Sequence, residues 1–270
     1  MENAIEFFPN LNALLAANAS RKLNKAFKDC PLSLSSNRES AKQTEFTGTA
    51  SYAEAERLCR EGWFEKLDDF KEACSIRPTN QLRRRVVTSP IGYAPHVPNA
   101  IVGRPDSMIK TIMQQEKTKV LEVVVCRSVT AGTTTQEIRK FAAEIVKAIS
   151  AIEATGIRVS LIWCASSTVS DKHKGQLAQC FVELKSQSEK INPSRIYFAL
   201  VHPSAHRRIA FRWLETCPSV KSKKFADGYG YTIRLNKLNM PPRFAKAKFI
   251  NLIDVIDGGW DAKEILARLK

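Results

Sequence analysis

The chain lacks the short motifs that identify several common classes of enzyme. It contains neither the GxxxxGK[ST] loop that holds nucleotide phosphates nor the GxGxxG fingerprint of dinucleotide-binding folds. The GxSxG turn that presents a nucleophilic serine is also absent. These absences argue against nucleotide hydrolysis and hydride transfer, and we expect no cofactor.

Long apolar runs and closely paired cysteines are missing as well. No stretch approaches the ~18 apolar residues of a membrane span, and residues 1–29 lack the uninterrupted apolar core of a secretory signal. The seven cysteines include no CxxC pair and no zinc-binding spacing. We therefore expect a soluble protein in a reducing compartment or packed in a particle, with no metal and no membrane partner.

Acidic residues are scarce relative to basic ones. The chain has 42 lysines and arginines against 27 aspartates and glutamates, which gives a formal charge of +15. Such an excess of positive charge favours polyanionic partners. Nucleic acid is the favoured class, and an anionic membrane is the second. We expect nucleic acid, with DNA favoured over RNA. The alternative is that the charge only aids solubility.

The sequence divides into four segments. Residues 1–50 combine an amphipathic basic helix with a linker rich in serine and threonine. Residues 51–118 are predicted to be a helical and irregular lead-in to the core. Residues 119–217 are predicted to form a βαβαβα core, and residues 218–270 contain a basic segment, a final strand and a C-terminal helix.

The predicted core begins with a nearly continuous apolar run, Val120–Cys126, which is typical of a strand buried on both faces. Thr134 and Glu137 form a capping box that opens a helix extending to Glu153. The remaining predicted elements are a strand at 158–164, a helix at 175–190, a strand at 195–201 and a helix at 204–216. Because crossovers between parallel strands are right-handed, we predict a three-layer α/β fold with a mostly parallel, Rossmann-like sheet.

The three predicted core strands, which end at residues 126, 164 and 201, are each followed by a loop that leads into a helix. These three loops carry an unusual set of polar side chains. If the strands are parallel neighbours, the three loops share the carboxyl edge of the sheet, where α/β folds place ligands. The loops contain one acid, Asp171, and helix N-termini supply amides for an anion. The predicted anion-binding edge consists of Ser128, Thr130, His173, His202 and His206. The alternatives are exposed loop side chains without a ligand, or a protein partner at this edge.

Catalysis at the same edge is a third interpretation. A Ser/His/Asp arrangement could be drawn from Ser204 or Ser128, His206 and Asp171, but a triad is defined by geometry that a sequence does not contain. A hydrolase would need Asp171 within reach of one of the edge histidines. We assign no catalytic residue.

Cations and two tyrosines complete the predicted nucleic-acid interface. Phosphate contacts are expected from Arg83, Arg84, Arg85, Lys172, Lys174, Arg207, Arg208, Lys221, Lys223, Lys224, Lys246 and Lys248. Tyr229 and Tyr231 lie in a basic segment and are candidates for stacking on bases. The alternative is a β-hairpin whose tyrosines pack on the core.

The residues Cys126-Arg127-Ser128-Val129-Thr130 follow the apolar part of the first core strand. They resemble the Asp-x-Ser-x-Ser sequence that begins the metal site of von Willebrand factor A domains, with both hydroxyl positions kept. Divalent cations such as Mg²⁺ prefer anionic oxygen ligands, and here a thiol replaces the carboxylate. The resemblance therefore implies a degenerate A-like core without the metal site. A generic Rossmann-like junction is the alternative.

Three further motifs precede the core in a fixed order: SYAEAERLCREGW at 51–63, GYAPHVP at 92–98 and GRPDSM at 103–108. Together with the core strand and helix they resemble a family of uncharacterised proteins found largely in bacteriophages. The resemblance implies a phage protein located in the cytoplasm of an infected bacterium or in the virion. We expect a non-enzymatic protein that binds nucleic acid in replication, transcription or host takeover. A protein–protein adaptor or virion structural component is the alternative.

Overall fold

The computed structural model describes residues 3–27, 32–34, 46–65, 67–74, 82–115, 119–130, 132–169, 176–220 and 231–269. Its strands are β1 (Ala4–Phe8), β2 (Leu82–Ser89), β3 (Ala94–Pro95), β4 (Met108–Gln115), β5 (Val120–Cys126), β6 (Arg158–Val169), β7 (Gln176–Lys185), β8 (Tyr231–Thr232) and β9 (Lys248–Asn251). Its α-helices are α1 (Leu11–Ser20), α2 (Tyr52–Glu61), α3 (Asp68–Cys74), α4 (Val97–Ile101), α5 (Thr135–Ala154), α6 (Pro193–Val201), α7 (Phe211–Thr216), α8 (Leu252–Gly258) and α9 (Ala262–Leu269). A π-helix, Ala205–Ala210, leads directly into α7, and short 3₁₀ turns occur at Lys25–Phe27, Leu32–Leu34 and Pro242–Phe244.

The described strands form a six-stranded main sheet in the order β1-β7-β6-β5-β9, and β8 pairs with the far end of β6. β5 is parallel to β6 and β9, and β1 is parallel to β7. β7 and β8 are antiparallel to β6. The predicted α/β class with a mostly parallel sheet is confirmed, although the sheet is mixed.

The beginning of the predicted core is confirmed at the level of hydrogen bonds. The Thr134 hydroxyl accepts from the Glu137 amide at 3.2 Å, and the Glu137 carboxylate accepts from the Thr134 amide at 2.9 Å. This capping box satisfies amides that the first turn of α5 leaves unpaired. α5 then buries Ile138, Ile145 and Ile149 in the core, as its 3.6-residue apolar period predicts.

The predicted helix at 175–190 is wrong, because Gln176–Lys185 form strand β7. It follows β6 as an antiparallel neighbour, and it also pairs with β1 on its other side. Cys180 and Phe181 are both fully buried although they point to opposite faces of the sheet. A short run that is apolar on both faces has no clear period, so it does not distinguish a strand from a buried helix.

The predicted strand at 195–201 is also wrong, because this segment lies in helix α6. Asn192 caps the helix by accepting from the Arg195 amide at 3.3 Å, and Pro193 occupies its first turn, where a missing amide hydrogen has no cost. All residues from Ile196 to Val201 are buried. The continuous apolar run therefore reflects a helix surrounded by protein and not a third parallel strand.

The two faces of the main sheet are covered differently. Val123 of β5 packs in a core that contains the buried residues of the helices. Val124 points to the opposite face, where it packs with Leu235 and Phe244 from residues 233–247. The described part of the chain therefore places helices on one face of the sheet and irregular segments on the other, whereas a Rossmann-like fold has helices on both faces.

A second, smaller sheet stands apart from this core. β2, β4 and β3 form a three-stranded antiparallel sheet, with α4 between β3 and β4. We call residues 82–115 the arm and residues 90–107, at its far end, the head. From Arg85 to Ile112 every side chain of the arm is exposed or half-buried. Residues 85–112 of the arm thus form no hydrophobic core of their own.

A buried ion pair joins α5 to β7 and gives a test of the fold. Lys185 is 2% exposed and lies 2.6 Å from the Glu153 carboxylate, which is 13% exposed. Replacing Lys185→Met should lower the free energy of unfolding by ~3–5 kcal/mol, because a partly buried carboxylate loses its partner. Denaturant titration followed by circular dichroism measures this loss.

The matched control is Lys147→Met, which breaks the surface pair with Glu144 on the same helix. We expect a change below ~1 kcal/mol for this exposed pair. Equal losses for the two variants would contradict the burial of the Lys185 pair.

Candidate functional site

A cavity of about 280 Å³ lies at the carboxyl end of β5, and we call it the edge cavity. Its lining consists of Phe46, Val129, Thr130, Ala165, Ser166, Ser167, His206, Arg207, Ala210, Phe211, Trp213, Leu214, Tyr231 and Thr232. These residues come from the segment after β5, the end of β6, β8, the π-helix and α7, and Phe46 comes from the segment before α2. No acid occurs among the lining residues that the structure describes.

Hydroxyl groups tie the strand ends together beneath the cavity. The buried Ser128 hydroxyl accepts from the Ser166 amide at 2.8 Å. The Gln179 side-chain amide donates to the Ser166 hydroxyl at 3.4 Å. Thr130 is exposed at the cavity wall, and its hydroxyl lies 3.1 Å from that of Thr133. Ser128 therefore has a structural contact, whereas Thr130 is accessible to a ligand.

Arg127 is buried next to the cavity, and no acid among the described residues forms an ion pair with it. Val123 and Val125 face the helical layer, so the two-residue period of a strand brings Arg127 to the same side. It is 2% exposed, and its Nη2 donates to the Val201 carbonyl at 3.5 Å. Its Nε has no hydrogen-bond partner within the described part of the chain. Burial, with Arg207 nearby, lowers the pKa of Arg127 to about 9.

His202 is held as a packed, neutral side chain. Its ring stands edge-on to Trp63 with centroids 4.6 Å apart, and its Nδ1 lies 2.7 Å from the Ser204 hydroxyl. Burial, and secondarily the charge of Arg127, lower the pKa of His202 to about 4. His202 is therefore uncharged at neutral pH, and its contacts are those of a core residue.

His206 lies in the cavity wall, half-buried, with its ring 5.4 Å from that of Phe211. Its Nδ1 has no hydrogen-bond partner among the described residues. Burial, followed by the charges of Arg127 and Arg207, lowers the pKa of His206 to about 3. Such a ring is a weak base, but it can exchange hydrogen bonds with a bound ligand.

The neighbouring residues Arg207 and Arg208 have different surroundings. The Arg207 guanidinium lies 3.8 Å above the Phe46 ring, and it donates to the Phe46 carbonyl at 2.6 Å. This contact leaves Arg207 in the cavity wall. Since successive residues of a helix point in different directions, Arg208 turns away from the cavity.

Arg208 is fully buried and donates to the carbonyls of Ser33 at 2.8 Å and Thr49 at 2.9 Å. It also donates to the Thr47 hydroxyl at 3.3 Å. The prediction that Arg208 contacts phosphate is therefore corrected: its guanidinium anchors the N-terminal part of the chain to the π-helix.

Aromatic rings border the cavity on several sides. Tyr231 is 46% exposed on β8, which pairs with β6 through Thr168. Phe46 is 40% exposed beneath the Arg207 guanidinium. These rings offer flat surfaces on which a base could stack.

The other predicted site residues are distributed elsewhere. Arg85 is exposed on the arm, Lys246 is exposed before β9, and Lys248 is half-buried on β9. The backbones of Arg83 and Arg84 lie in β2. Seven predicted residues lie outside the described parts of the chain: Lys172, His173, Lys174, Lys221, Lys223, Lys224 and Tyr229. The structure thus gathers Thr130, His206, Arg207 and Tyr231 in one cavity, and the arm and β9 cations are not among its lining residues.

Two functional positions were missed from the sequence. Arg127 was named only as part of the sequence after the first core strand, although the alternation after Val125 places it beside the cavity. Phe46 lies in the predicted linker, and no local pattern indicates that it reaches the π-helix. The position of Arg127 could have been predicted from strand periodicity, whereas that of Phe46 depends on tertiary contacts.

Two further searches cover only the described residues. None of their helices is long and apolar enough to cross a membrane. No group of three or more histidines, cysteines or acids there is arranged to hold a metal ion.

Comparison with known proteins finds one family. The family model described as "Domain of unknown function (DUF7192)" matches residues 2–269. No curated protein and no solved structure matches the chain.

The anchoring role of Arg208 can be tested through stability. Arg208→Ala should lower the free energy of unfolding by ~2–4 kcal/mol, because it leaves two buried carbonyl groups without a donor. Arg207→Ala is the matched neighbour and should cost about 1 kcal/mol, since Arg207 is only half-buried. Chemical denaturation measures both values, and a larger loss for Arg207→Ala would contradict this assignment.

The depressed pKa values of His202 and His206 predict a dependence of stability on pH. The unfolded chain takes up protons near pH 6.5, whereas the folded chain does so only near pH 4 and pH 3. The free energy of unfolding should therefore fall as the pH drops from 6.5 towards 4, by up to ~1.4 kcal/mol per pH unit for each histidine.

Replacing His206→Gln should reduce this slope by about one proton. Denaturation at a series of pH values between 4 and 7 provides the measurement. An unchanged slope in His206→Gln would show that the folded chain does not lower the pKa of His206.

Proposed function

The chain belongs to the DUF7192 family, and we propose that it is a non-enzymatic nucleic-acid-binding protein that holds a phosphate group in the edge cavity. The proposal depends above all on Arg127, a buried cation without an acidic partner among the described residues. A buried charge is costly unless it is paired. Arg127 is not itself a lining residue, so an anion in the edge cavity would stabilise its charge through the cavity wall and would contact Arg207 directly.

The lining of the edge cavity supports an anion of this kind. Arg207 adds a second positive charge, and Thr130 and Ser167 add hydroxyl groups, while the described lining contains no acid. Charge-assisted hydrogen bonds from guanidinium groups and hydroxyls are the usual means of holding phosphate. The total charge of +15 favours a polyanion over an isolated anion.

The rings beside the cavity support a nucleotide as the unit that binds. Tyr231 and Phe46 are exposed at the cavity, where a base attached to the held phosphate could stack on them. The volume of about 280 Å³ lies near the lower end of ligand pockets, roughly 300–1,000 Å³. It therefore suits one nucleotide of a strand that continues over the surface.

A binding role fits the chemistry of the histidines better than catalysis does. Both His202 and His206 have pKa values far below neutrality because they are buried near Arg127. A general base works best when its pKa lies near the working pH. Asp171, the acid that a hydrolase would require, lies outside the described residues.

Two further expectations from the sequence, a degenerate A-like core and a phage origin, remain part of what we propose. Ser128 and Thr130 occupy the hydroxyl positions after β5, which supports a degenerate A-like core. Cys126, in place of the carboxylate, is buried on the opposite face from Arg127. We place the protein in an infected bacterium or a virion, where it would act in replication, transcription or host takeover, with DNA as the favoured nucleic acid.

An adaptor that binds other proteins is the second candidate function. The observation in its favour is the apolar surface of the arm, which nucleic acid does not explain.

Binding to fluorescent single-stranded and duplex DNA, measured by anisotropy across a salt series, tests the main proposal. If six to ten cations contact phosphates, the affinity should fall ~10³–10⁵-fold between 50 and 200 mM salt.

Arg207→Gln keeps a donor for the Phe46 carbonyl but removes the charge. It should weaken binding about tenfold and lower the salt slope by ~0.7–0.9. Tyr231→Ala should weaken binding of single strands by ~1–3 kcal/mol.

Arg158→Gln is the matched control, because Arg158 is exposed at the opposite end of β6 from Ser167. Phe64→Ala, at a ring that is 65% exposed outside the cavity, is the control for Tyr231→Ala. Neither control should change the affinity. Absence of binding at low salt would refute the proposed function, and equal losses in controls and cavity variants would refute the site.

A further inference from the structure

The head of the arm presents a concentrated apolar surface. Exposed fractions are 79% for Ile91, 69% for Tyr93, 58% for Val97, 80% for Ile101 and 75% for Val102. Val86, on the adjoining strand β2, is 62% exposed. Summed over these residues the exposed area is on the order of 700 Å², compared with ~300–600 Å² for the largest contiguous apolar patch of a typical monomer.

The head is nevertheless held in a defined conformation. The Tyr93 amide donates to the Ile109 carbonyl at 2.9 Å, and the His96 amide donates to the Ser107 carbonyl at 2.7 Å. The Asn99 side chain donates to the Asp106 carbonyl at 3.0 Å. The outward orientation of the apolar side chains is thus part of a hydrogen-bonded arrangement.

Gly92 shows how closely the head is fitted to β4. A Cβ atom at this position would collide with the carbonyl group of Ile109. Only glycine allows the backbone to approach β4 so closely. The turn therefore depends on this residue, and it carries Ile91 and Tyr93 outwards on either side.

We propose that the head of the arm is a self-association surface that buries its apolar side chains against the head of a second copy of the chain. The area supports this occupant, because ~700 Å² per partner lies close to the ~800 Å² of a standard stable interface. A two-fold axis brings the same patch of each copy together, so a self-complementary apolar surface is sufficient. Such contact would also stabilise a small sheet in which no side chain from Arg85 to Ile112 is buried.

Because the arm is positively charged, the effect of salt distinguishes self-association through the head from nucleic-acid binding by the same surface. Residues 82–115 contain five cations and one acid, Asp106, which is already paired with Arg104. Two such arms repel each other, and salt screens the repulsion. Self-association should therefore strengthen as salt is added, whereas phosphate contacts weaken.

Analytical ultracentrifugation of the full chain without nucleic acid, from ~1 to 200 µM protein at 50 and 500 mM salt, tests the proposal. We expect a monomer–dimer equilibrium in the micromolar range, since apolar interfaces of this size are of moderate strength, and tighter association at the higher salt. The double variant Ile91→Asp/Ile101→Asp should remain monomeric throughout, with an unchanged circular dichroism spectrum because both side chains are exposed.

The matched control is Leu238→Asp, at an apolar side chain that is 97% exposed outside the arm. It should dimerise as the natural chain does. A natural chain that stays monomeric at 200 µM, or a double variant that still dimerises, would overturn the proposal. A monomeric natural chain whose DNA affinity falls in the double variant would assign the head to nucleic acid instead. Because no nucleic acid is present in the association test, its failure is distinct from a failure of the proposed function.

Discussion

The burial of Arg127 at the end of β5 is the constraint on which the candidate site depends. A strand cannot turn one side chain away without a bulge, so the alternation that buries Val123 and Val125 also buries Arg127. Its charge, together with burial, keeps His202 and His206 neutral. The described surroundings of the edge cavity are therefore neutral or positive, and an anion is their electrostatic complement.

The N-terminal part of the chain takes part in the site through a second set of buried polar contacts. Glu215 is fully buried and accepts from the Ser33 amide at 2.9 Å, while Arg208 donates to the Ser33 carbonyl. Arg208 also donates to the Thr49 carbonyl. Phe46 lies next to this anchored segment, beneath Arg207. A stretch that reads as a polar linker thus supplies one wall of the edge cavity.

The edge cavity and the arm are physically different surfaces. The cavity is concave, positive and lined with hydroxyl groups and rings, whereas the head of the arm exposes apolar side chains. If both proposals hold, a dimer presents two cavities to one strand or duplex. The second contact then forms at a high effective concentration, which raises overall affinity without a new type of contact.

Local chemistry determined the elements that the sequence predicts correctly: the cap and apolar face of α5, the buried strand β5, and the hydroxyls and cations that follow it. Tertiary structure decided the identity of β7 and α6, because a segment buried on all sides is apolar throughout and carries no period. It also decided which of two adjacent arginines faces the edge cavity. Local sequence specifies which side chains a single element can bury, but only packing against distant parts of the chain specifies what surrounds them.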